Sequence, residues 1–126
     1  MTLILDTGAL VALERGDRPT WRRYAAAAAA GEVPVTHGGV VAQAWRGRGP
    51  RQALLAKALA GLDVRHLDEV LGRAAGELLA RTRAADVVDA AVVLLAVDED
   101  VILTVDVGDL APLAAASGRH VELVGV

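Results

Sequence analysis

Apolar and polar positions along the chain fall into blocks that read as strands and helices taken in turn. Thr2 to Leu5 is short, apolar and bounded by Asp6-Thr7-Gly8, the pattern of a buried strand. Ala9 to Glu14 reads as a helix closed by Gly16. Asp17 is placed to cap a second helix, with Pro19 tolerated in its first turn. That helix carries Trp21, Tyr24 and the alanine run 25–30, a strong helix former, and ends at Gly31. Val33-Pro34-Val35 predicts a second strand, with Pro at its start rather than its middle. Thr36-His37-Gly38-Gly39 reads as a turn, followed by a third helix over Val40 to Arg46. Gly47 to Pro50 interrupts, and Arg51 to Ala60 predicts a fourth helix with Leu55 and Leu59 on one side. Asp63 to Leu67 predicts a third strand, and Asp68 then caps a fifth helix whose apolar positions, from Val70 to Leu79, recur at helical spacing.

The stretch from Ala85 to Leu110 has a different character. Val87 to Val97 is Val, Ala and Leu throughout except for Asp89. A helix apolar on every side is normally buried, and an ionised carboxylate there is costly without a counter-charge or a metal. Asp98-Glu99-Asp100 makes a turn, Val101 to Val105 a strand, and Asp106 ends it. Asp109 to Ala116 predicts a short helix capped by Asp109 and closed by Gly118, and His120 to Val124 a last strand. Strands alternating with helices imply an α/β three-layer α/β/α sandwich around a parallel sheet of about five strands. No repeat, linker or composition shift divides the chain, so residues 1–126 read as one domain.

Composition sharpens this in three ways. With 2% aromatic residues and no Phe, the core must be packed from Val, Leu, Ile and Ala. There is no Cys, which excludes disulfides and thiolate chemistry. The net charge of −3 argues against a protein that coats nucleic acid through a basic field, but not against a nucleic-acid enzyme whose acids surround a cation. No apolar run reaches membrane-spanning length, and Met1 to Asp6 lacks the basic start of a signal peptide, so a cytoplasmic location with no membrane contact is expected.

The acids then acquire a common explanation. In a parallel sheet the residues just past the strand ends share one rim, where sites usually form. Asp6 follows the first strand and Asp106 the fourth, and Asp89 opens the helix that feeds the fourth. Clustered carboxylates raise each other's pKa, a conflict that a hard divalent cation resolves. Oxygen-only ligands favour Mg²⁺ or Mn²⁺, and phosphodiester hydrolysis is chemistry suited to such a site.

The residues Leu3-Ile4-Leu5-Asp6-Thr7-Gly8-Ala9-Leu10, Val87-Val88-Asp89-Ala90 and Leu103-Thr104-Val105-Asp106, with Asp109-Leu110 after them, resemble a PIN-domain ribonuclease of the VapC type, the toxin of bacterial toxin–antitoxin pairs. The order and spacing of elements match over nearly the whole chain. The resemblance implies a PIN-like fold and a Mg²⁺-dependent or Mn²⁺-dependent endoribonuclease acting on RNA. It implies metal ligation by Asp6, Asp89 and Asp106, a small antitoxin whose arginine pairs with those acids, and a homodimer. It also implies a glutamate on the third helix, where this chain has Gln43. Gln keeps an oxygen but loses the charge, which predicts weaker metal binding. Glu14, the nearest spare acid, sits at the far end of its helix.

Other polar residues carry lesser expectations. Asp86 is expected to cap the helix of Asp89 and Thr7 to hold a carboxylate or a water, while Thr104 and Asp109 are expected as support. Arg46, Arg48 and Arg51 form a small basic patch that either contacts RNA phosphates or is a solvated loop. Trp21 and Trp45 are expected as core or interface anchors, and among the histidines only His37 stands where it invites attention. The competing function is a PIN-like domain, weakened at Gln43, that binds RNA or a protein without cutting. A receiver domain is disfavoured because the only Lys is Lys57, and an aspartyl-nucleophile phosphatase because residue 8 is Gly rather than a second Asp.

Overall fold

Five short strands form one all-parallel sheet in the computed structural model, which describes residues 1–126. They are β1 (Leu3–Leu5), β2 (Val35–His37), β3 (Asp63–Arg65), β4 (Val101–Thr104) and β5 (Glu122–Gly125), in the spatial order β3-β2-β1-β4-β5. The helices are α1 (Thr7–Glu14), α2 (Arg18–Ala29), α3 (Gly38–Ala44), α4 (Gln52–Ala60), α5 (Glu69–Ala80), α6 (Val87–Leu95) and α7 (Val107–Ser117). The first four pack among themselves around α1, and the last three around α6. Right-handed crossovers require this division, because the chain moves first toward one sheet edge and then back past β1 to the other. The result is the α/β/α sandwich read from the block pattern.

The central strands explain why their sequences are unbroken apolar runs. β1 pairs with β4 through Leu3–Val101, Ile4–Ile102 and Leu5–Leu103 and with β2 through Ile4–Val35, and a parallel strand is covered on both faces. Ile4, Leu5, Ile102 and Leu103 are fully buried, as are Leu10 and Leu13 of α1 and Ala90 to Val93 of α6. Trp21 closes one edge, its Nε1 donating to the Leu13 carbonyl at 2.9 Å while its ring meets Tyr24 edge-on. Trp45 instead stands 41% exposed, so it is not a core anchor. No helix is long and apolar enough to cross a membrane.

Several boundaries differ from the sequence reading. β2 begins at Val35, two residues later than expected, because Pro34 has no N–H to give a ladder; its carbonyl still accepts from Asp63 at 2.9 Å. Thr36 and His37 belong to that strand and are fully buried, and Gly38-Gly39 opens α3 rather than making a turn. α3 is shifted two residues toward the N-terminus and ends at Ala44, while β3 ends at Arg65 and β4 at Thr104, both shorter than expected; Val105 is left 63% exposed. β5 starts at Glu122 rather than His120. The cap of α7 is Asp106, not Asp109, whose amide donates to the Asp106 carboxylate. Gly118 closes that helix in the left-handed conformation at φ 72°, as its position predicts.

Asp100 was legible only as a turn residue, yet it is a structural clamp. Its carboxylate is buried and accepts the Thr2 amide at 2.7 Å and the Val97 amide at 2.9 Å, tying the chain start to the turn before β4. Asp100→Ala strands two donors and is expected to cost about 2 kcal/mol in urea denaturation. An unchanged midpoint would show that water replaces the carboxylate.

Candidate functional site

Asp6, Asp86 and Asp106 are each fixed by capping a helix. Oδ1 of Asp6 accepts the Ala9 amide at 2.9 Å at the head of α1. Oδ1 of Asp86 accepts the Val88 and Asp89 amides at 2.9 and 3.1 Å at the head of α6. Oδ1 of Asp106 accepts the Asp109 amide at 3.1 Å at the head of α7. Capping and a place in the site are therefore compatible for these acids. A helix N-terminus favours negative charge, so each of these acids stands at a natural place for a carboxylate.

The sheet order decides where these helix heads meet. From β1 the chain goes to β2 and β3 on one side, then returns to β4 and β5 on the other. The crevice beyond the carboxyl ends of β1 and β4 is the point where the winding reverses, and ligands of open α/β sheets bind there. Asp6 and Asp106 flank it. Thr104, fully buried at the end of β4, serves both: its Oγ1 accepts the Asp106 amide at 2.9 Å, and its hydroxyl acts to lower the Asp6 pKa. Thr104 thus does more than fill a strand position.

The electrostatics follow from this crowding. Burial raises the Asp6 pKa, against the opposing effect of Thr104 and the Ala9 and Gly8 amides; the Asp106 charge raises it further. Asp89, half-buried, is pushed up to about 6, first by burial and then by Asp86, Asp6, Asp109 and Asp106. Asp109 is raised by its hydrogen bond with Asp106 and by that residue's charge. None of these five acids forms an ion pair with Lys, Arg or His.

Two clefts open at the rim. Asp86, Asp89 and Asp109 line one of about 390 Å³ together with Arg83 and Pro112. Thr7 and Gly8 line the other, with Val105, Val126 and Arg15. Gln43 reaches the same region from α3, where its Oε1 accepts a hydrogen bond from the Thr7 hydroxyl. It is an exposed residue, but it is attached to the site. Glu14 closes α1 at the opposite end, roughly 10 Å along the axis from Thr7.

The donor set is chemically suited to a hard divalent cation, since every candidate ligand is a carboxylate, amide or hydroxyl oxygen. The geometry is open: no three Asp, Glu or His side chains converge closely enough to hold an ion. The structure brings Asp6, Asp89, Asp106, Thr7, Asp86, Thr104, Asp109 and Gln43 to one rim without closing the carboxylates into a coordination group.

The arginine patch stands apart from both clefts. Arg46 folds back on α3, donating to the Ala42 and Trp45 carbonyls at 3.2 and 2.8 Å. Arg48 and Arg51 are exposed in the loop that follows, which Gln52 staples by accepting the Arg46 and Gly47 amides. His66 and His120 are exposed, whereas His37 is buried between β2 and α6. The signal for His37 was a polar pair before two glycines, which reads equally well as a turn. Comparison of the chain with protein-family models, with curated proteins and with solved structures finds no match.

Proposed function

We propose that the protein is a Mg²⁺-dependent or Mn²⁺-dependent endoribonuclease of the PIN-like type, with Asp6, Asp89 and Asp106 as metal ligands. The observation that carries this reading is the rim itself: five acids from three helix heads at the winding reversal, none of them in an ion pair. A fold that only needed helix caps would not gather them where their charges raise the pKa of Asp6, Asp89 and Asp109, and such conflict between titratable groups favours a functional site. A bound divalent ion supplies Lewis acidity and positive charge for phosphodiester hydrolysis. The chain's own contribution is placement. Asp6 is held by the head of α1, Asp106 by Thr104 and the head of α7, and Asp89 stands half-buried in the first turn of α6. Thr7 and Gln43 supply neutral oxygens at the mouth, and Asp86 and Asp109 add negative potential beside the ligands. Gathering the three carboxylates needs side-chain rotation at Asp89 and Asp106, neither of which is fully buried.

By its resemblance the reading extends to a toxin with a cognate antitoxin, to a homodimer and to a cytoplasmic setting. Exposed Trp45 and Leu54 offer apolar surface for protein contacts. The purified protein is expected to cut single-stranded RNA with Mg²⁺ or Mn²⁺ and to stop when EDTA is added. Cleavage that persists in EDTA sinks the metal-dependent reading.

A second reading, a PIN-like domain that binds RNA or a partner without cutting, is favoured by the neutral Gln43 and the open carboxylate geometry. Calorimetric titration with Mn²⁺ separates the two. Heat saturating near one ion per chain supports the nuclease, and a folded protein that takes up no Mn²⁺ supports the binder.

A further inference from the structure

His37 is the one fully buried histidine, and both of its ring nitrogens are committed. Nδ1 accepts the Gly39 amide at 3.0 Å, so it carries no proton. The proton is therefore on Nε2, which donates to the Val88 carbonyl at 3.0 Å. Burial lowers the pKa of the ring and keeps it neutral, against the bond to Val88.

The two bonds end on the helices that carry site residues. Gly39 lies in the first turn of α3, four residues before Gln43. The Val88 carbonyl and the Asp89 amide belong to one peptide group. His37 grips that group at its oxygen, and Asp86 grips it at its nitrogen through the 3.1 Å bond from the Asp89 amide. The peptide that bears Asp89 is thus clamped from both sides, with β2 as the fixed body behind one clamp. An apolar side chain would fill the same space without the cost of burying a ring that needs two partners.

We propose that His37 is a positioning residue that sets Asp89 of α6 against Gln43 of α3 across the rim. The proposal rests on the metal-site reading above. It adds a residue from a third element, one that touches neither ion nor substrate.

Two substitutions separate the arms of the clamp. The side-chain amide of His37→Asn reaches the position of Nδ1 and keeps the Gly39 bond, but it has nothing to offer Val88. The amide of His37→Gln reaches the position of Nε2 and keeps the Val88 bond, but it loses the cap. Mn²⁺ affinity by calorimetry is expected to stay within about threefold of wild type in His37→Gln and to fall about tenfold in His37→Asn, the range seen when a group supporting a metal ligand is removed. Thermal melts of the same samples provide the control. Equal Mn²⁺ affinity in both variants, or a loss that simply follows the melting temperature, overturns the proposal.

Hydrogen exchange keeps the test independent of the ion. The Asp89 amide is expected to exchange faster in His37→Asn than in His37→Gln, and the Gly39 amide the reverse. If wild-type protein takes up no Mn²⁺, the nuclease reading fails and the exchange pattern alone decides whether His37 positions Asp89. Identical exchange at Asp89 in both variants overturns it.

Discussion

Asp89→Asn is expected to abolish RNA cleavage and, in the same protein, to raise the melting temperature at neutral pH. The loss of activity should exceed about a hundredfold, the upper end of what removing a group that merely supports a ligand costs. The gain in stability has a separate origin. In the folded protein the Asp89 pKa lies at about 6, raised from 3.8 by burial and by four neighbouring acids. Between those two values the folded state binds more protons than the unfolded state, so stability falls as pH rises through that window. Below it Asp89 is protonated in both states and costs nothing. Above about 6 the penalty is complete. Asn removes it, so the difference in melting temperature should be absent in strong acid, grow through the window and level off near neutrality. The partial exposure of Asp89 limits the gain to a few degrees. A variant that loses activity and stability together would indicate a broken fold rather than a relieved site. Added Mn²⁺ should stabilise wild type, by about 2.7 kcal/mol at a hundredfold excess over Kd, and leave the variant nearly unmoved.

Gln43→Glu is expected to act in the opposite sense. Oε1 of Gln43 already accepts from the Thr7 hydroxyl, and a carboxylate oxygen accepts that bond equally well. The substitution therefore changes charge with little change in shape. Without metal, the added charge joins a rim that already repels itself, and the melting temperature should drop. With Mn²⁺ the same charge works for binding, and affinity should rise roughly tenfold to a hundredfold, most strongly at low ionic strength. RNA cleavage at limiting metal should rise with it. The pairing of lower stability without ion and higher affinity with ion identifies a site one charge short. A variant that binds Mn²⁺ no better than wild type would place Gln43 outside the coordination group and favour a domain that does not cut.

The candidate acids were legible in the sequence because each violates its surroundings. Asp6 and Asp106 end apolar strands, and Asp89 interrupts an otherwise unbroken apolar helix. Asp86 is legible as a cap from its place before that helix, whereas Asp106 and Asp109 both fit the local pattern for the cap of α7, and only the fold selects Asp106. His37, Thr36 and Asp100 read as turn residues in the sequence for a shared reason, although all three are buried. Polar residues beside glycine or acids look solvated in one dimension. Here the partners that let them be buried are remote: Thr36 donates to Leu5, His37 to Val88, and Asp100 accepts from Thr2 at the other end of the chain.

By itself the sequence determined the alternation of strand and helix, and with it a parallel sheet between two helical layers. The period and content of apolar runs are local properties, and burial on two faces or one leaves its mark on each run separately. Only the tertiary structure decided the strand order, and so which strand ends lie side by side at the winding reversal. It also decided which polar side chains find partners inside, because a buried hydrogen bond depends on where a distant backbone passes. The openness of the acid rim belongs to this second kind as well. Carboxylates that repel one another settle at separations set by helix heads and caps, and no spacing along the chain records that distance.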